Sequence, residues 1–348
     1  MTERTDDAPA AQGLGRRPAR EGLQAPAAGR LGLRLPASVA GRLWELRSLS
    51  LVGVLVLLAI AGVVTSGGNF LSVSNVLNIL VSSSIIGVVT VGMTFVIIGG
   101  GIDLSVGGLV ALASVWATTL SSQQYGAWAM VVCALLVGMG AGLVNGLLIA
   151  YGRLVPFIVT LAMMVASRGL AEAMSGKKTQ LVTVQSINNI ATTNVFGIPL
   201  LVIIFAAVVL VGWIVLNRTT FGRRTFAVGG NTEAARLAGI DVRRHTALLY
   251  VLSGLCCGIA AIMIISLTTT GSSTHGDLYE LDAIAAVIIG GTLLTGGKGT
   301  LVGSILGALV FTTVTNIFVL NNLASEVQNI AKGLIIVAAV LLQRRGTT

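Results

Sequence analysis

The chain reads as long apolar runs separated by short polar breaks. A helix crossing a hydrocarbon core of about 30 Å needs about 20 residues. By that ruler apolar segments fall at 49–65, 76–98, 104–120, 127–151 and 156–175. After a polar gap come 198–216, 246–267, 279–294, 299–319 and 327–343, of which 279–294 is short. The pattern predicts an all-α fold, a polytopic membrane helix bundle of about ten transmembrane helices. Two stretches break the rhythm. Residues 176–197 are rich in Thr, Asn and Gln, and 217–245 form the one long basic loop between segments.

Composition agrees with lipid as the main solvent. Of 348 residues 54% are hydrophobic and only 10% charged, with a mean hydropathy of +0.91. A soluble domain carries about 25% charged residues, so a soluble enzyme and a disordered protein are both excluded. Forty-four glycines against six prolines fit closely packed membrane helices.

The net charge of +9 is distributed by side. If the segments alternate from a cytoplasmic start, 18 of the 22 basic residues face inward. Only Lys177 and Lys178 face outward, and Arg168 and Lys332 fall within segments. The positive-inside rule therefore predicts both termini cytoplasmic. The charge reads as an orientation signal, with no nucleic-acid partner.

Residues 1–40, rich in Arg, Ala and Pro, read as a disordered cytoplasmic tail, and 49–343 as the transmembrane domain. Leu49 to Thr65 does not read as a cleaved signal peptide, because the cleavage-like Ala59-Ile60-Ala61 lies inside the apolar run.

The inner loop 217–245 predicts a short cytoplasmic helix. Asn231 or Thr232 can cap its start, Glu233 suits the first turn, and Gly239 can close it. Ala234, Leu237 and Ala238 share one apolar face, while Glu233 and Arg236 can pair at i, i+3. Glycines at four-residue spacing (138/142/146, 254/258 and 299/303/307) predict close helix contacts. Val96-Ile97-Ile98-Gly99-Gly100 recurs as Val287-Ile288-Ile289-Gly290-Gly291, which suggests an internal repeat.

No catalytic or metal-binding set emerges. Gly296-Gly297-Lys298-Gly299-Thr300 lacks the first glycine and the Mg-binding hydroxyl of a phosphate loop. His245 and His275 fall on opposite sides of the membrane. Cys133, Cys256 and Cys257 read as buried hydrophobes.

Polar groups inside apolar segments are costly and point to function. Asp103 follows a triple-glycine break and precedes Ser105, so it can cap the next helix. Arg168 can pair with Glu172 at i+4 or snorkel outward. Tyr279, Glu280 and Asp282 cluster at the outer end of segment 279–294, where they can meet a polar solute or a docking partner. Asn78, Asn145, Thr160 and Asn316 offer neutral hydrogen-bonding groups, and with Asp103 and Ser105 they are the six candidates for a translocation path or gate.

Gly99-Gly100-Gly101-Ile102-Asp103-Leu104-Ser105-Val106-Gly107 resembles the GGIDLSVG signature of ribose-type sugar permeases of ABC importers. Gly142–Leu148, Pro156–Leu161 with Arg168-Gly169, Gly229–Ile240, and Tyr279–Ala286 continuing to Thr292 are similar to further motifs of that family, in order. The long Arg-rich tail departs from it, and Gly101 and Thr295 stand where relatives vary.

The resemblance implies a multi-pass subunit of a bacterial inner membrane that pairs with a second permease copy. It also implies cytoplasmic ABC ATPase partners that carry the ATP and Mg, and an extracytoplasmic binding protein that delivers a monosaccharide. This chain itself would bind no cofactor. Glu233, Ala234, Ala235, Leu237 and Gly239 would form the helix that couples to the ATPase. Autoinducer-2 or a nucleoside is the alternative cargo. A stand-alone secondary transporter is the alternative class, and it would want an embedded acid or His relay.

Overall fold

A computed structural model of the protein describes residues 37–66 and 68–345. The expected tail, 1–40, lies outside the described residues except for its last four, which open the first helix. The chain divides into units 1–42 and 43–348, and the packing below is that of the second.

The first half runs α1 (Ala37–Ser66), α2 (Val73–Ile98), α3 (Val106–Ala117), a single turn α4 (Leu120–Gln123), α5 (Ala127–Ala150) and α6 (Pro156–Ser175). Next come α7 (Gln185–Thr192), α8 (Leu200–Arg218), α9 (Thr220–Gly230) and α10 (Thr232–Leu237). The remainder is α11 (Val242–Thr268), α12 (Tyr279–Ile289), α13 (Leu301–Leu320) and α14 (Ser325–Arg345).

Each apolar segment holds a helix, but the helices are unequal. Among the described residues six are long and apolar enough to cross a membrane: α2, α5, α6, α8, α11 and α13. The segments at 104–120 and 279–294 were expected to span, yet α3 and α12 have only 12 and 11 residues. At 1.5 Å per residue they reach about 18 and 17 Å, little over half of a ~30 Å core. The reason is local. Each is preceded by non-helical backbone, Gly101–Leu104 for α3 and Ser272–Leu278 for α12, which takes up length that a continuous helix would have used.

α2 is the centre of the bundle. Its residues from Ser83 to Ile98 are buried on every face, as an all-round apolar helix requires. It packs against α8, α11, α12 and α13. The glycine stripes do what their spacing predicted. On α5 an added methyl at Gly138 or Gly142 would overlap the carbonyl oxygen of Gly254 or Tyr250 on α11. On α13 one at Gly303 or Gly307 would overlap the carbonyl of Gly290 or Ala286 at the α12 end. Backbones there touch with no side chain between them.

The VIIGG repeat is structural. After α2, Gly100 N–H donates to the Ile97 carbonyl at 2.9 Å and Gly101 N–H to Val96 at 2.9 Å. After α12, Gly291 N–H donates to Ile288 at 2.9 Å and Thr292 N–H to Val287 at 3.1 Å. Both are Schellman closures with a left-handed glycine, Gly100 at φ 85° and Gly291 at φ 90°.

The polar stretch 176–197 is folded too. β1 (Gln180–Leu181) pairs antiparallel with β4 (Thr270–Gly271) beyond α11, and β2 (Asn194–Val195) with β3 (Ile198–Pro199). Gln123 Nε2 donates to the Leu181 carbonyl at 3.0 Å, tying α4 to this loop.

Candidate functional site

Asp103 is fully buried and engaged at both oxygens. Oδ1 accepts from the Ser105 backbone N–H at 3.0 Å and from the Ser105 hydroxyl, and Oδ2 accepts from Ser253 Oγ on α11 at 2.8 Å. Ser105, not Asp103, is the N-cap residue of α3, and the aspartate braces it from two residues before. The capping role expected of Asp103 is thus indirect. Asn145 of α5 donates Nδ2–H to Ser105 Oγ at 2.9 Å, while its Oδ1 is buried without a hydrogen-bond partner. Thr160 of α6 and Tyr250 of α11 both reach the Ile102 carbonyl at 3.4 Å.

Four of the six path candidates, Asp103, Ser105, Asn145 and Thr160, therefore meet at the break before α3. The node ties that break to α5, α6 and α11. No ion pair to Asp103 occurs among the described residues, so a buried carboxylate is held by hydroxyl and amide donors alone. Sequence reading missed Ser253 and Tyr250, whose only signal was a hydroxyl inside an apolar segment.

The other two path candidates lie elsewhere. Asn316 forms a reciprocal side-chain pair with Asn75, at 3.0 and 2.8 Å, whereas Asn78 is exposed. The pair joins α13 to the first turn of α2, and the residue that matters there is Asn75, three positions before the expected Asn78.

The trio at the start of α12 does not make one patch. Glu280 is 9% exposed and turns towards α3, where a methyl on Gly107 would overlap its Oε2 and the Gly276 carbonyl. That Oε2 is buried without a hydrogen-bond partner. Asp282 turns away and pairs with Lys332 of α14 at 3.2 Å. Tyr279 packs partly buried against the core. The reason is helical pitch: residues two apart on a helix point to nearly opposite sides.

Arg168 does not pair with Glu172. It donates to the Ser273 carbonyl at 2.8 Å and lies 3.7 Å from Asp277, while Glu172 sits 3.5 Å from Lys177. The first turns of the two half-helices thus meet inside the bundle, α3 at Gly107 and α12 at Glu280.

The inner-loop helix forms as expected. Asn231 Oδ1 accepts from Ala234 N–H at 2.9 Å, and Gly239, at φ 83°, closes α10 through its N–H to Arg236 at 3.0 Å. Glu233 and Arg236 form a two-point ion pair on the exposed side. Their mutual hydrogen bonds hold the Glu233 carboxyl below and the Arg236 guanidinium above their ordinary pKa ranges. Ala234, Leu237 and Ala238 are all exposed, Leu237 at 75%, so the small apolar face has no partner among the described residues. Ala235 faces inward and is buried.

Directly before α10, the backbone is seated on the rest of the molecule. Gly297 N–H donates to the Ile98 carbonyl at 2.8 Å. A methyl on Gly229 would overlap that same carbonyl and stand 2.8 Å from Gly297 N. Three chain segments meet there without intervening side chains: the end of α2, the end of α9, and the loop between α12 and α13.

The family profile described as "Branched-chain amino acid transport system / permease component" matches residues 75–340. The chain belongs to this permease family. Its matched region runs from Asn75 through both half-helices and α10 into α14.

Among curated relatives, the ribose import permease protein RbsC of Escherichia coli (strain K12) is 37% identical over 313 residues, covering 87% of this chain and 95% of the relative. RbsC of Bacillus subtilis (strain 168) is 38% identical over 296 residues, covering 84% and 91%. The L-arabinose transport system permease protein AraH of Escherichia coli (strain K12) is 36% identical over 304 residues, covering 87% and 92%. No solved structure matches the chain. The resemblance to ribose-type permeases of ABC importers stands, and the protein is a multi-pass membrane transport component.

Proposed function

We propose that this permease is the membrane subunit of a bacterial ABC importer that admits a monosaccharide of the ribose or arabinose kind. In this reading an extracytoplasmic binding protein delivers the sugar, and a separate ATPase subunit holds ATP and Mg and hydrolyses the nucleotide. A second permease copy completes the path. The chain crosses the inner membrane ten times with both termini in the cytoplasm, α3 and α12 each completing a crossing together with the non-helical backbone that precedes it.

The observation that carries this reading is α10. A helix with an unpartnered apolar face, on the most basic loop, suits a docking groove on another protein. Its mount at Ile98 on the end of α2, five residues before Asp103 of the node, supplies a backbone route from docking site to path. Neutral hydroxyl and amide groups at that node match the chemistry of a sugar, which carries many hydroxyls and no charge. Each buried hydroxyl left without a partner costs on the order of 1–3 kcal/mol.

The test is uptake of labelled ribose and arabinose into vesicles containing the permease, its ATPase and its binding protein. Uptake should need all three components and ATP. Leu237→Asp, at an exposed position, should leave the permease inserted and its thermal stability unchanged while the ATPase no longer co-purifies and uptake stops. Uptake that persists without any ATPase would assign the chain to the stand-alone transporter class.

A further inference from the structure

Three cavities adjoin in a seam along one side of α11: the first lies against α9, the second against α8 and α9, and the third against α8 and α2. The first, about 370 Å³, is bordered by Phe221, Arg224, Gly239, Asp241, Arg244 and Leu248, with His245 behind. The second, about 240 Å³, shares Phe221 and Leu248 with it and is walled by apolar side chains only. The third, about 270 Å³, shares Val215, Leu252 and Leu255 with the second and reaches Val91 and Phe95 of α2. From Leu248 to Ile259 the groove follows α11 for about 17 Å. That is close to the depth of one leaflet of a ~30 Å hydrocarbon core.

The two ends differ in chemistry. The groove offers no charged side chain along its length, whereas its mouth carries Arg224 and Arg244, neither in an ion pair among the described residues. Exposed Arg223 and Arg243 stand next to them in sequence. Asp241 also borders the mouth, but its Oδ1 is occupied in capping α11 through the Arg244 backbone N–H at 3.0 Å. His245 Nε2 is hydrogen-bonded to Thr225 Oγ1 at 3.0 Å. The mouth therefore presents net positive charge.

A neighbouring aromatic–cation pair suits a headgroup level near the mouth. Arg218 at the end of α8 lies over the ring of Trp213, 5.4 Å from its centroid. A Trp with a cation beside it marks the membrane–water interface.

We propose that this seam holds one anionic phospholipid of the cytoplasmic leaflet. Its phosphodiester sits between Arg224 and Arg244, and one acyl chain lies in the groove between α8 and α11. A guanidinium offers paired donors to phosphate oxygens, and basic pockets between helices on the cytoplasmic side suit anionic headgroups. The groove supplies the apolar contact, so neither half of the site needs the other's chemistry. Gly239 also borders the mouth, which puts the headgroup against the end of α10. Only the choice of leaflet rests on the proposed topology.

Native mass spectrometry and thermal unfolding of the purified full chain test this. After extraction and delipidation, phosphatidylglycerol added in mixed micelles should rebind at one per chain and raise Tm, and phosphatidylcholine should do neither. Arg224→Gln with Arg244→Gln should weaken phosphatidylglycerol retention roughly tenfold or more. Val211→Trp, at an exposed edge of the groove, should displace the lipid with both arginines intact, and Arg153→Gln, outside the seam, should change nothing. Equal binding of both lipids, or retention unchanged in the double variant, overturns the proposal. So does the same Tm shift from inorganic phosphate alone, which would mean a plain anion pocket. If the double variant keeps its lipid but loses the ATPase, the arginines belong to that interface and not to a headgroup.

Discussion

Asp103 is a single buried acid whose observed role is structural. It accepts three hydrogen bonds from Ser105 and Ser253. Asp103→Asn keeps an acceptor for Ser105, and the Ser253 hydroxyl can turn to accept from the new amide. Assembly and most transport should survive. Asp103→Leu strands both serines and should abolish complex yield, since each orphaned buried group costs about 1–3 kcal/mol. Asn145→Leu should assemble normally, hydrolyse ATP and transport poorly, because Asn145 Oδ1 is the one unpartnered acceptor of the node. Complex yield measured beside uptake separates these outcomes, and an Asp103→Asn protein that assembles but moves no sugar would put the acid in the path itself.

His275, on the loop before α12, gives a pH signature at the same scale. It is buried, with Nδ1 2.7 Å from Ser114 Oγ, and burial pushes its pKa down to about 4. The unfolded imidazole, near 6.5, takes up a proton before the folded one does. Stability should therefore be full above pH 6.5 and fall as pH drops towards 4. Thermal unfolding followed across that range should show the slope, and His275→Gln should make it shallower.

Among the elements, the proposed docking face of α10 and the mount proposed to transmit from it are built differently. The docking face consists of exposed side chains, whereas the mount is backbone against backbone. Gly229→Ala drives a methyl into the Ile98 carbonyl, while the neighbouring Gly230→Ala meets nothing nearer than Gly297 Cα at 3.9 Å. The first should keep the ATPase bound yet lower the sugar moved per ATP hydrolysed, and the second should behave as the parent. Both variants leave the α10 face untouched, so identical behaviour of the pair would remove the junction from the coupling route. The repeated VIIGG closures belong to this scale as well. They stop α2 and α12 in the same way, and the chain beyond each is redirected by the same left-handed glycine.

For the whole molecule, the distribution of basic residues makes a topological prediction. In a background without Cys133, Cys256 and Cys257, cysteines at the exposed positions Lys178 and Gln185 should react with an impermeant thiol reagent on intact cells. A cysteine at exposed Arg223 should react only after the membrane is opened. Labelling of position 223 from outside would invert or break the ten-span arrangement. Much of this architecture was legible in the chain itself. Hydropathy sets where helices lie, because lipid penalises every unpaired backbone group, and the four-residue glycine spacing marks which faces touch. The α10 cap residues and its apolar face are local, so short-range sequence suffices for them. Tertiary structure alone decided the rest. Whether an apolar run of 17 residues is a full span or a half-helix depends on the backbone before it, and hydropathy does not register that. Ser253 beside Asp103 and the partners of Arg168, Asp282 and Asn316 come from 50 to 241 residues away, and which side chain fills that part of a polar group's reach is set by how helices pack, not by its neighbours in the chain.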